Sequence, residues 1–96
     1  MSHHFYELTP AEAERLAMLI DAASDVIKIA AKTLMHGYES YHPTDSSITN
    51  RMLLSREVTD LCAMVELMDR DFDPTVCQDT ASVIERKLRY TNHQLD

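Results

Sequence analysis

The sequence holds one glycine, no tryptophan and two cysteines among 96 residues, and each scarcity excludes something. The chain breakers are Gly37 and the prolines Pro10, Pro43 and Pro74. So few of them leave too few hinges for a turn-rich β fold and favour long helices. Cys62 and Cys77 do not stand at a zinc-ligand spacing, and nothing near the N-terminus reads as a signal peptide. Both thiols are expected to pack as small apolar groups in a reduced, cytoplasmic protein. Positive charge is also scarce: the formal net charge is −7. A broad basic face is therefore missing, and no nucleic-acid polymer is expected as a partner. A single nucleotide accompanied by metal ions still fits, because the ions supply the missing charge. No apolar run approaches the roughly 20 residues of a membrane span, so no membrane partner is expected either. The His3-His4 pair is assigned no function.

What is present is an ordinary globular composition, 45% apolar, sufficient for one domain over residues 1–96. A chain this short buries a modest core, which makes self-association an expectation. Thr9-Pro10-Ala11-Glu12 combines an N-cap, a proline at the first helical position and the acid of a capping box. Leu16, Ile20, Ala23, Ile27, Ala30 and Leu34 then recur at alternating steps of four and three. This predicts a helix over about 10–36, on the order of 40 Å long, with those residues as its core stripe and Gly37 as a left-handed stop. Leu19, Val26 and Thr33 make a second flank apolar, a further reason to expect at least a homodimer, with a homotetramer also open. Residues 37–49 have no periodicity and read as a long loop. Its Tyr38, Tyr41, His42 and hydroxyls suit stacking on and hydrogen bonding to a small ligand.

Thr49 or Asn50 caps a second helix reaching about Arg70, with Leu54, Val58, Leu61, Val65 and Met68 as its stripe. Asp73-Pro74 starts a third helix over about 74–92, with Cys77, Ala81, Ile84, Leu88 and Thr91 inward. The expected fold is all-α: a bundle of three long helices assembled as a homo-oligomer.

Acids interrupt these stripes. At 100° per residue Glu57 and Asp60 lie about 60° and 120° from Leu54, beside the core and not opposite it. Two carboxylates bracketed by Leu53 and Met64 are costly to desolvate unless a divalent cation neutralises them. Hard Mg²⁺, or Mn²⁺, prefers such oxygen ligands. A solvated acid pair fits the spacing as well. Asp21 and Asp25 form another pair one turn apart, on a helix flank that also carries Met18, Ala22, Ile29 and Thr33. Lys87 and Tyr90 sit beside the third stripe, where an ammonium and a phenol can hold a phosphate.

In order and combination, Ile20-Asp21-Ala22-Ala23-Ser24-Asp25-Val26-Ile27-Lys28, Lys32 to Ser40 (Lys-Thr-Leu-Met-His-Gly-Tyr-Glu-Ser), Asn50-Arg51 and Ser55-Arg56-Glu57-Val58-Thr59-Asp60-Leu61 resemble the MazG-like all-α nucleoside triphosphate pyrophosphohydrolases. The likeness covers roughly residues 12–93 and is nearest to the short forms carried by bacteriophages. It implies Mg²⁺ held by an ExxE pair and an ExxD pair, and cleavage of a nucleoside triphosphate into monophosphate and pyrophosphate. Asp25 matches the second acid of ExxE, and Glu57 and Asp60 match ExxD. Lys87 and Tyr90 match positions that contact phosphates, while Lys32, His36, Tyr38, Asn50 and Arg51 fall in the segments implied to hold the nucleotide. Ala22 stands where the first acid of ExxE belongs. An engineered substitution, a natural loss leaving a binding protein without turnover, or replacement by neighbouring Asp21 and water would each account for it. The resemblance thus implies either a pyrophosphohydrolase, with Ala22 marking a missing catalytic glutamate, or a silent nucleotide-sequestering protein of phage origin.

Overall fold

A computed structural model describes residues 7–71 and 79–94. Helix α1 runs Pro10–His36 and helix α2 Asn50–Arg70, the bounds expected from their caps. The capping box is reciprocal: Thr9 N–H donates to Glu12 Oε1 at 2.8 Å, and Glu12 N–H donates to Thr9 Oγ1 at 3.1 Å. At α2 the cap is Thr49, whose hydroxyl accepts from Met52 N–H. Each arrangement satisfies amide donors that the first helical turn leaves without partners.

The two helices form an antiparallel pair. Arg15 near the start of α1 meets Asp71, the C-cap of α2, at 3.4 Å. At the other end, Asn50 Nδ2 donates to Gly37 O at 3.0 Å. Ala22 and Ile29 of α1 and Met64 and Met68 of α2 are the buried apolar side chains among the described residues, and Met68 is the most enclosed at 1% exposure.

That core differs from the expected one. Ile20, Ile27 and Leu34 of the α1 stripe are 69%, 68% and 90% exposed, and Leu16 is exposed too. On α2, Leu54, Leu61 and Val65 are half-buried, Val58 is exposed and Met68 is buried. The helix pair therefore closes on the neighbouring flank of each helix. The reason is geometric: α1 is apolar over almost half its circumference, and one partner helix covers only one edge of so wide a sector. Leu19, Val26 and Thr33 lie half-buried between the packed edge and the open one.

The segment expected to be a loop contains a small hairpin, so the chain is mostly helical and not purely α. Strand β1 (Tyr41–His42) pairs antiparallel with β2 (Asp45–Thr49), joined through Pro43 and Thr44. His42 faces Asp45 and Tyr41 faces Thr49, with a bulge between. Side chains stabilise the turn: Thr44 N–H donates to His42 Nδ1, and Ser47 N–H donates to Asp45 Oδ1. The root is held by Asn50 N–H to Ser40 O and Arg51 N–H to Tyr38 O, both 2.8 Å. Gly37 has φ 89° and ψ 163°. This is not the left-handed helical stop expected but a region essentially reserved for glycine. A Cβ there would meet nothing within 4 Å, so backbone conformation and not space demands the glycine.

The third helix is shorter than expected. Helix α3 spans Thr80–Leu88, capped by Asp79, whose carboxylate accepts from Ser82 N–H at 2.9 Å. The expected start at Asp73-Pro74 and the inward Cys77 lie outside the described residues. Ala81, Ile84 and Thr91 are exposed and Leu88 is half-buried. Packing between α1 and α2 dominates, with no comparable contact from α3. Among the described residues, two long helices, a hairpin and one short helix thus stand where three long helices were expected.

Candidate functional site

A groove runs between α1 and α2 on the edge opposite to the open stripe. It is a chain of three clefts that share residues. The first, about 320 Å³, is lined by Asp21, Ala22, Asp25 and Asp60 with Met18, Ala63 and Met64. The second, about 220 Å³, holds Asp25 and Glu57 with Lys28, Lys32, Ile29 and Leu53. The third, about 330 Å³, continues from Lys32 and Leu53 to His36, Asn50 and the hairpin residues Ser40, Tyr41, His42 and Pro43. Asp25 belongs to the first two clefts, and Lys32 and Leu53 to the last two.

Helical periodicity explains the sequence of chemistries. Asp21, Asp25, Lys28 and Lys32 follow at steps of four, three and four, so they form one row along α1. Glu57 and Asp60 supply acids from the facing helix one turn apart. Asp25 and Glu57 are half-buried, whereas Asp21 and Asp60 are exposed. Ala22, only 7% exposed, lines the cleft between these acids with a methyl group.

The carboxylates expected from the sequence therefore do share one groove, and every donor is an oxygen, which suits a hard divalent ion. They do not form a closed ligand set: among the described residues no three His, Cys, Asp or Glu side chains gather closely enough to hold a metal. Of the residues expected at a nucleotide, Lys32 and His36 line the groove. Asn50 lines it too, but its buried amide is engaged with Gly37 O, which gives it a structural task.

Other expected contacts point elsewhere. Tyr38 lines a separate cleft with Ala30, Thr33, Leu34, Gly37 and Leu54. The Arg51 guanidinium stacks 4.5 Å over the Tyr38 ring and bonds Glu39 Oε1 through Nε at 2.7 Å. That stack is a cation–π contact made outside the groove. Lys87 and Tyr90 are exposed and line none of the three clefts. Conversely, Lys28 was not singled out from the sequence. Its spacing from Asp25 and Lys32 was the available signal.

At the hairpin end Thr44 N–H donates to His42 Nδ1 at 3.2 Å, and the Thr44 hydroxyl lies 2.8 Å from the same nitrogen. On the same hairpin the Ser47 hydroxyl and then its amide hold the Asp45 carboxyl below the usual carboxylate range. Comparison of the chain with protein-family models, curated proteins and solved structures found no match. Among the described residues, no helix is long and apolar enough to cross a membrane.

Proposed function

We propose that the α1–α2 groove binds a nucleotide, and that its chemistry is Mg²⁺-dependent cleavage of a nucleoside triphosphate to monophosphate and pyrophosphate. The observation that carries this reading is the order of groups along one continuous groove: acids, then two lysines, then an aromatic and histidine-bearing hairpin. A nucleotide with its metal has the same order of needs. Lys28 and Lys32 would take phosphate oxygens by charge-assisted hydrogen bonds. They replace Lys87 as the counter-charge for the leaving pyrophosphate. Tyr41 offers a ring face and His42 its Nε2 to a base.

Asp25, Glu57 and Asp60, with Asp21 beside them, would hold Mg²⁺ or the similar Mn²⁺. When bound, such an ion neutralises phosphate charge and lowers the pKa of an attacking water. A carboxylate at position 22 would orient that water from within the first cleft. Ala22 has no such group.

One observation favours a second reading, a nucleotide-binding protein without turnover: the buried methyl of Ala22 sits among acids that do not close into a ligand set. The two are separated by calorimetry with a panel of nucleoside triphosphates, with and without Mg²⁺, combined with product analysis of the wild-type chain and Ala22→Glu. Monophosphate and pyrophosphate from the wild type, or from Ala22→Glu alone, support the hydrolase. Binding with no product from either chain supports sequestration. Absence of Mg²⁺-dependent binding and of product in both chains overturns both readings.

A further inference from the structure

The third cleft differs from the other two in the hydrogen bonding it offers. Lys32 and His36 stand four residues apart on α1 and so share one face of that helix. Tyr41 and His42 come from the hairpin, and Leu53 and Pro43 add apolar wall.

The strong acceptors at this end are already engaged within the chain. Ser40 O takes the Asn50 N–H at 2.8 Å. His42 Nδ1 takes the Thr44 N–H at 3.2 Å, with the Thr44 hydroxyl 2.8 Å away. The Asn50 side-chain amide is tied to Gly37 O at 3.0 Å, and the residue is 3% exposed. These bonds leave a ligand mainly donors: the Lys32 ammonium, His36, and His42 through Nε2, the ring nitrogen that Thr44 does not occupy. The Ser40 and Tyr41 hydroxyls serve either role and do not discriminate. No described residue lining this cleft is a carboxylate.

Bases differ in what they ask of such a wall. A 6-oxopurine presents two adjacent acceptors, O6 and N7, whereas adenine presents N7 beside an amino donor. A pyrimidine has no such pair of acceptors on that edge. An amino group set against donors is left without an acceptor, and that mismatch discriminates more strongly than a small difference in size. We propose that the third cleft selects a 6-oxopurine nucleotide, of guanine or hypoxanthine type, whose O6 and N7 accept from His42 and His36. The Tyr41 ring supplies the stacking face. The inference rests on the groove being a nucleotide site and names which nucleotide it takes.

The test is calorimetry of the full-length chain with Mg²⁺ and matched nucleotides. ITP and ATP differ in the oxo or amino group of the base and the protonation of its neighbouring nitrogen. ITP and GTP are expected to bind about tenfold more tightly than ATP. 7-Deaza-GTP, which lacks the N7 acceptor, is expected to lose most of that advantage over ATP. His36→Ala and His42→Ala are each expected to bring the ITP-to-ATP ratio toward one. Because the ratio is taken within one protein, a general loss of stability does not imitate the effect. ATP binding as tightly as ITP overturns the selection while the groove stands as a nucleotide site. A ratio unchanged in both histidine variants overturns their assignment, and 7-deaza-GTP binding like GTP overturns the N7 contact. Absence of binding by every triphosphate in the presence of Mg²⁺ overturns the nucleotide site and the selection with it.

Discussion

The two apolar edges of α1 make opposite use of similar composition. On the edge against α2, a small side chain, Ala22, and a single large one, Ile29, are buried, as are Met64 and Met68 of α2. On the open edge the large side chains Leu16, Ile20, Ile27 and Leu34 repeat with better periodicity and remain in contact with solvent. The difference teaches that regularity of a hydrophobic stripe does not decide which edge of a helix its neighbour covers. Close approach of α1 to α2 is served by a small residue on one helix and flexible methionines on the other.

Substitutions on the two edges should separate these roles. The largest loss is expected from Met68→Ala, which empties the most enclosed position: about 2–5 kcal/mol by denaturant unfolding. Ile20→Ala, measured at high dilution, should stay within about 0.5 kcal/mol of the wild type. Equal losses at high dilution would erase the distinction between the edges.

The groove gives a functional version of the same contrast. Lys32→Ala removes the lysine common to two clefts and should weaken Mg²⁺–nucleotide binding by roughly tenfold or more, the equivalent of one charged hydrogen bond. Leu34→Ala, on the open edge, should leave that affinity unchanged in the same titration. Next comes the root of the hairpin. Asn50→Ala leaves the Gly37 carbonyl without its side-chain donor and should cost about 1–3 kcal/mol in thermal or denaturant unfolding.

The smallest effect is expected at Asp71. Its hydrogen bond from Arg70 lowers its pKa, desolvation opposes this, and the fields of Arg70 and then Arg15 add to the lowering. A carboxyl depressed in the folded state contributes stability in full above its ordinary value of 3.8, and that contribution fades as pH falls through the folded value. Urea unfolding at pH 6 and pH 3 should show the wild type losing its small advantage over Asp71→Asn at the lower pH.

Much of this architecture was legible in the residues. Thr9, Pro10, Glu12 and Gly37 marked both ends of α1, and Thr49 was one of two readings for the start of α2. Local hydrogen bonding decides such boundaries, so local sequence reveals them. Asp25, Glu57 and Asp60, singled out by their helical spacing, line adjoining clefts of the α1–α2 pair. The hairpin was hidden because Pro43-Thr44 lacks the glycine or asparagine of tight hairpin turns, and β1 has only two residues. The choice of core edge was hidden for a different reason: periodicity measures one helix, whereas burial depends on which neighbour arrives. The engagement of Arg51 with Glu39 and Tyr38 was hidden because only the folded chain brings the turn after α1 against the start of α2.

The anchoring of the hairpin has an evolutionary consequence. Its root depends on the backbone of Gly37 and the side chain of Asn50, while Tyr41, His42, Pro43 and Thr44 at the tip are exposed. The root is thereby held by groups other than the exposed residues of the tip. Exchanges at the tip can change which ring or donor greets a ligand while the two helices and their acids stay in place. On the proposed reading, such chains would diversify recognition at these four positions, with the His42–Thr44 hydrogen bond that holds the turn setting the folding cost of change.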